Sequence, residues 1–136
     1  MMPAYRSTIL VVDDEERIRT MIGEHLAECG FKTVLACSGD DALLLIQRLP
    51  KIDLIITDVR MPGVLNGFDF IERALSNRPS LRTIVMSGFT DEAETRRHVA
   101  HRFLGKPFTM TFLESEVYSL LGIGSANEDR GLNQAL

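Results

Sequence analysis

Short apolar runs recur along the chain, and the stretches between them carry helical spacing. The first run is 8–12. Residues 15–29 then place Ile18, Met21, Ile22 and Leu26 on one helical face, and Gly30 stops the helix. Residues 31–36 read as a second strand. Ser38 opens a capping box with Asp41 in the place of the usual Glu, and the helix that follows runs to about Leu49, where Pro50 ends it. Residues 54–57 are apolar and bounded by charges, as in a central parallel strand. Met61-Pro62-Gly63 breaks the chain, after which Phe68, Ile71 and Leu75 share a helical face. A strand at 83–86, a charged helix over 91–99, a strand stub at Phe103-Leu104 and an amphipathic helix over 109–121 complete the series. Alternating strand–helix units predict an α/β, doubly wound fold: a parallel sheet with helices on both faces, as one domain over 7–121. Residues 122–136 lose the periodicity and are expected to form a flexible tail.

Composition narrows the classes. A chain of 136 residues has room for one ordinary domain, with enough core to fold without staples. A formal net charge of −4 argues against a nucleic-acid partner, which calls for a basic face. Cys29 and Cys37 are too few and too poorly spaced for a zinc site or a disulfide framework, and His25, His98 and His101 show no metal-ligand spacing. The N-terminus lacks an apolar signal region and no apolar run reaches the roughly 18 residues of a membrane span, so the expected compartment is the cytoplasm.

The chemistry lies at the strand ends. The first strand runs into Asp13-Asp14-Glu15 and the third into Asp58, although like charges held together resist burial. In a doubly wound sheet the ligand site lies outside the carboxyl ends of the strands, and Asp13, Asp14, Asp58, Ser87 and Lys106 all follow apparent strand ends. Carboxylates of this kind suit Mg²⁺, and a carboxylate beside a cation and a lysine can accept a phosphoryl group. Glu15 and Glu16 are read more simply, as acids at the positive end of the first helix.

Four segments together carry a resemblance: Ile9-Leu10-Val11-Val12-Asp13-Asp14-Glu15, Asp58-Val59-Arg60-Met61-Pro62-Gly63, Met86-Ser87-Gly88 and Phe103-Leu104-Gly105-Lys106-Pro107-Phe108. In order and spacing the chain resembles the receiver domains of two-component response regulators over about residues 7–121. The resemblance implies a flavodoxin-like (βα)5 three-layer sandwich with strand order 2-1-3-4-5. It implies Asp58 as phosphoacceptor and a Mg²⁺ ion, with Mn²⁺ as a substitute. Asp14 and Asp58 would hold the ion directly, Asp13 largely through water, and the backbone carbonyl of Arg60 would complete the set. Lys106 would pair with the phosphoryl group, Ser87 would be the switch hydroxyl and Phe103 the switch aromatic, with core packing as its plainer role. Lys106–Pro107 resembles a peptide bond that is often cis in the family. The implied partners are a sensor histidine kinase or histidine phosphotransfer protein, and a downstream protein docking on the fourth helix, fifth strand and fifth helix, a face that also serves for homodimers. Such a protein is a regulatory phosphoacceptor, catalytic only in assisting its own phosphorylation and dephosphorylation. With no output domain in view, it is expected to act by partner binding or by passing the phosphate on.

Three departures from the family pattern stand out. The loop Gly63-Val64-Leu65-Asn66-Gly67 is one residue longer than the common form, and the stretch 88–102 is a few residues shorter. Arg60 and Phe89 flank the site, where they are expected to lengthen the lifetime of the phosphate. The cluster Arg96-Arg97-His98, with His101-Arg102, reads either as a docking patch or as a solvated face paired with Glu92 and Glu94, the simpler reading. Three other functions fit these residues less well. A phosphorylation-independent docking module sits poorly with a full set of acids, Ser87 and Lys106. An aspartyl-phosphate phosphatase needs an acid where Arg60 stands. A flavin protein needs a phosphate loop where Asp13-Asp14-Glu15 would repel phosphate.

Overall fold

The computed structural model describes residues 7–88 and 96–124. The elements are β1 (Thr8–Val12), α1 (Glu16–Glu28), β2 (Lys32–Ala36), α2 (Gly39–Arg48), β3 (Leu54–Asp58), α3 (Gly67–Asn77), β4 (Arg82–Ser87), a 3₁₀ turn (Arg97–Val99), β5 (Arg102–Gly105) and α4 (Met110–Leu121). All strand pairs are parallel and the sheet order is β2-β1-β3-β4-β5. The order reverses between β1 and β3, which places the switch point between the strands that end at Asp13 and Asp58.

Alternation of side chains along buried strands divides the core in two. Leu10, Val12, Ile55 and Val85 face one side with Ala42, Ile46, Phe68, Phe70 and Ile71 of α2 and α3. Ile9, Val11, Leu54, Ile56, Ile84 and Met86 face the other with Ile22, Leu26, Leu113 and Val117 of α1 and α4. β1 and β3 are buried along their whole lengths, which explains their unbroken apolar sequence. β2, at the edge, alternates less cleanly and leaves Leu35 exposed.

Local chemistry sets the helix ends. Gly30 takes φ +103° after α1, the left-handed stop that glycine adopts without strain. Ser38 Oγ accepts from the Asp41 amide at 3.1 Å, but the reciprocal half of the expected box is replaced: Asp41 Oδ2 accepts from the Cys37 thiol instead. The full capping box is at α3, where Asn66 Oδ1 accepts from the Asp69 amide and Asp69 Oδ2 from the Asn66 amide. Arg78, just past α3, donates to the carbonyls of Ile46 and Leu49 and so closes the C-terminal end of α2. At the end of α4, Gly122 caps the helix and Ile123 donates to Tyr118 O at 2.9 Å while packing on the core.

The expected helix over 91–99 falls largely outside the described residues; within them its end is the 3₁₀ turn. Glu92 and Glu94, the expected helical partners, lie outside the described residues, and Arg96 reaches α3. It bonds Asp69 at 2.9 Å and Glu72 at 2.8 Å on α3, with its guanidinium over the Phe68 ring. His101 is tied to β4: its backbone amide donates to Thr83 Oγ1, and its Nδ1 accepts from the Thr83 amide. Burial and the charges of Arg82 and Arg102 lower its pKa, so the ring is held neutral as an acceptor.

Candidate functional site

Asp13, Asp14, Asp58, Ser87 and Lys106 come together where the carboxyl ends of the strands open. Asp14, Glu15, Asp58, Arg60, Ser87, Gly88 and Lys106 line a cleft of about 370 Å³. Larger hollows run along α1, one of about 610 Å³, but none gathers carboxylates, a hydroxyl and a lysine.

The three acids at the end of β1 look alike in sequence and differ sharply in place. Asp13 is fully buried, while Asp14 and Glu15 are exposed. Asp13 Oδ1 accepts from the Glu15 amide at 2.9 Å, so Asp13, not Glu15, serves the start of α1 with a side-chain oxygen. Arg19 holds the Asp13 carbonyl at 2.7 Å. Asp13 Oδ2 is buried without a hydrogen-bond partner, the one such side-chain atom among the described residues. Burial pushes the Asp13 pKa up to about 6; the Glu15 amide opposes this, and the neighbouring Asp58 adds to it.

Asp58, at the end of β3, is 8% exposed. Its Oδ1 accepts from the Val59 amide at 2.8 Å, and its Oδ2 lies 3.3 Å from Lys106 Nζ. Burial raises its pKa and the Lys106 charge works against that rise. The Lys106 amide donates to Ser87 O at 2.8 Å, which fixes the lysine beside the end of β4. The Lys106–Pro107 peptide is cis. The Ser87 hydroxyl donates to Gly88 O at 2.7 Å, away from Asp58. Phe103 is half-buried under the Arg97 guanidinium, 4.9 Å from its ring centre, so it is neither sealed in the core nor free. Arg60 is exposed at the cleft, and Phe89 lies outside the described residues.

The longer loop after β3 is held firmly. The Val64 amide donates to Asp40 Oδ2 at 3.3 Å, Leu65 is buried and Asn66 caps α3. Gly67 then passes so close to the phosphoacceptor candidate that a Cβ there would lie 2.2 Å from Asp58 O and 3.0 Å from Val59 Cα. Sequence reading missed Gly67 and the cleft-lining Glu15. Spacing alone does not show which loop glycine touches a strand end, and Glu15 reads as a helix-start acid.

The donor set fits a hard cation. One carboxylate oxygen from each of Asp13, Asp14 and Asp58 lies within 4.8 Å of the others, and the partnerless Asp13 Oδ2 is among the groups that a cation would satisfy. Without a cation, an ionised Asp13 destabilises the fold. Its folded pKa exceeds the unfolded value near 3.9, so the folded state holds more protons between those pH values and stability falls as pH rises through that window. Asp13→Asn is therefore expected to raise the melting temperature in EDTA at pH 7, by on the order of 1–3 kcal/mol in stability, with the gain shrinking toward pH 4. Thermal melts in EDTA check this, and a variant that melts no higher than the parent at pH 7 contradicts it.

Comparison with known proteins agrees with this geometry. The profile of the response regulator receiver domain family matches residues 9–118, and the chain belongs to that family. Among curated relatives, the DNA-binding transcriptional regulator NtrC of Azospirillum brasilense is 39% identical over 114 residues, covering 82% of this chain and 23% of that protein. The hydrogenase transcriptional regulatory protein HoxA of Cupriavidus necator is 37% identical over 89 residues, 65% of this chain and 18% of that protein. The chain thus spans only part of the length of these relatives. Among solved structures, a response regulator receiver protein from Pseudomonas putida superposes with a TM-score of 0.77 at 34% identity, covering 86% of this chain and 99% of that one. The chemotaxis protein CheY4 of Vibrio cholerae gives 0.75 at 28%, covering 85% and 99%. The flavodoxin-like order and the receiver class expected from the sequence are both found. Among the described residues, no helix is long and apolar enough to cross a membrane.

Proposed function

We propose that residues 7–121 form a receiver unit that accepts a phosphoryl group on Asp58 from a phosphohistidine of a sensor kinase or phosphotransfer protein. The carboxylate oxygen of Asp58 bonds to phosphorus as the P–N bond of the donor breaks, and the electron pair leaves with the imidazole nitrogen. Lys106, already 3.3 Å from Asp58 Oδ2, meets the charge on the phosphoryl oxygens. Asp13, Asp14, Asp58 and the Arg60 carbonyl would hold Mg²⁺, which would neutralise the three acids as an anionic group approaches, and Mn²⁺ would suit the same oxygen donors. The observation that carries the reading is the convergence of three carboxylates and one lysine on a single cleft, with a buried carboxylate oxygen lacking any partner.

The signal leaves through Ser87 and Phe103. The Ser87 hydroxyl exchanges its bond to Gly88 O for a phosphoryl oxygen, and Phe103 turns inward past Arg97, shifting a two-state equilibrium that a docking protein or a second copy reads at β5 and α4. Arg60, at the cleft, restricts water and lengthens the phosphate lifetime, a role that Phe89 shares by its place in the sequence.

Amide spectra recorded by NMR with Mg²⁺ and a beryllium fluoride phosphoryl mimic test the reading. Shifts are expected at Ser87, Lys106 and Phe103 together, and none in EDTA. Perturbation confined to the immediate neighbours of Asp58 contradicts the switch and favours a docking module indifferent to phosphorylation.

A further inference from the structure

A second set of donor atoms lies in the groove between α1 and α4. His25, in the last turn of α1, and Cys29, its cap, stand four residues apart, and α4 brings Glu114 against them. His25 Nε2 is 3.3 Å from Glu114 Oε2. The imidazole nitrogen, the thiol sulfur and a carboxylate oxygen all lie within 4.8 Å of one another. All three residues are half-buried, so the atoms are held in place yet reachable. The hollow of about 610 Å³ along α1, lined by Glu24, His25, Glu28 and Met110, borders the set at His25. His25 lies nine residues past the start of α1 at Glu16, about 14 Å along the helix, well away from the carboxylates at the strand ends.

We propose that His25, Cys29 and Glu114 bind a divalent cation of the zinc class. Tetrahedral Zn²⁺ with bonds of about 2.0–2.3 Å keeps its ligand atoms roughly 3.3–3.6 Å apart, so the His25–Glu114 separation of 3.3 Å already fits and the sulfur, within 4.8 Å of both, need close by at most about 1.5 Å. Sulfur and imidazole select zinc over magnesium, whereas the all-oxygen set at the strand ends does the reverse. Three protein ligands leave the fourth position to water. The charges balance: a thiolate and a carboxylate against one dication. Binding releases the thiol proton and leaves the imidazole neutral, with its proton on Nδ1 and its Nε2 pair on the metal. The ion would clamp α4 to α1. Counting cysteines alone passes over this set, because Glu114 is 89 residues from His25 and only the fold joins them.

Cobalt titration of the full chain tests the site independently of phosphoryl chemistry. The expected result is one equivalent of Co²⁺ with a sulfur-to-cobalt charge-transfer band and tetrahedral visible bands, all displaced by Zn²⁺. Cys29→Ser removes the charge-transfer band. His25→Gln and Glu114→Gln, at half-exposed positions that tolerate the change, weaken cobalt binding about tenfold or more. Asp58→Asn and Cys37→Ser leave the band intact. Zn²⁺ raises the melting temperature of the parent and not of Glu114→Gln. Absence of the charge-transfer band at stoichiometric cobalt overturns the proposal. So does a band that survives Cys29→Ser and is lost in Cys37→Ser, which would place the ion on the exposed thiol.

Discussion

Asp58→Asn is expected to reduce Mg²⁺-dependent phosphoryl uptake to background while leaving the fold intact. The substitution removes the oxygen nucleophile but keeps a side-chain carbonyl able to accept the Val59 amide, as Asp58 Oδ1 does at 2.8 Å. It also removes one of three crowded negative charges. Because burial has already raised the pKa of Asp58, the neutral side chain suits the site, and the variant should melt at least as high as the parent in EDTA. Lys106 loses its partner, but its half-exposed ammonium keeps access to water, so this cost is small. Acid-quenched gel separation of phosphorylated and free protein checks the prediction. Undiminished uptake in the variant would place the chemistry on a different carboxylate.

Gly67→Ala is expected to destabilise the fold severely, because no other added Cβ compared among the described glycines meets backbone so closely. The added carbon would sit 2.2 Å from Asp58 O and 3.0 Å from both Asp58 C and Val59 Cα, all backbone atoms that have no rotamer to change. Relief requires α3 to slide away from β3, which would break the 2.8 Å bond from the Gly67 amide to Val59 O and disturb the Asn66–Asp69 box beside it. Overpacking of this kind costs about 3 kcal/mol or more. Phosphoryl uptake should fall with stability, because the strand end being pushed carries Asp58. Gly88→Ala is the control, since a Cβ there meets nothing within 4 Å although the residue lines the same cleft. Urea denaturation of the two variants distinguishes a steric effect from a general glycine effect; equal midpoints would contradict the steric account.

These two residues mark how far the sequence could be read. Asp58 was legible because an apolar strand ending in a lone acid has no packing rationale, and the strand ends converge once the fold is doubly wound. The strands themselves were legible because burial on both faces leaves an unmistakable apolar run, as in β1 and β3. Gly67 was hidden because its role is a distance to another segment's backbone. Asp13 and Asp14 could not be told apart as buried and exposed, because adjacent acids at a strand end differ only in the direction each side chain takes as the strand gives way to helix. Arg96 bonds Asp69 and Glu72, 27 and 24 residues away on α3, contacts that no local pattern announces. Glu114 was silent for the same reason. Short-range patterns reveal elements and strand ends; pairings between distant segments emerge only when the elements pack.

The central claim is that the acidic cleft takes one phosphoryl group on Asp58 with the help of a hard divalent cation. Intact-mass spectrometry of the wild-type chain, after incubation with acetyl phosphate in Mg²⁺ or in EDTA and followed by peptide mapping, tests it most directly. The account predicts a single added phosphoryl group, formed with Mg²⁺ and not in EDTA, and mapping to Asp58. An adduct that forms equally in EDTA, or that maps to any other residue, would contradict it.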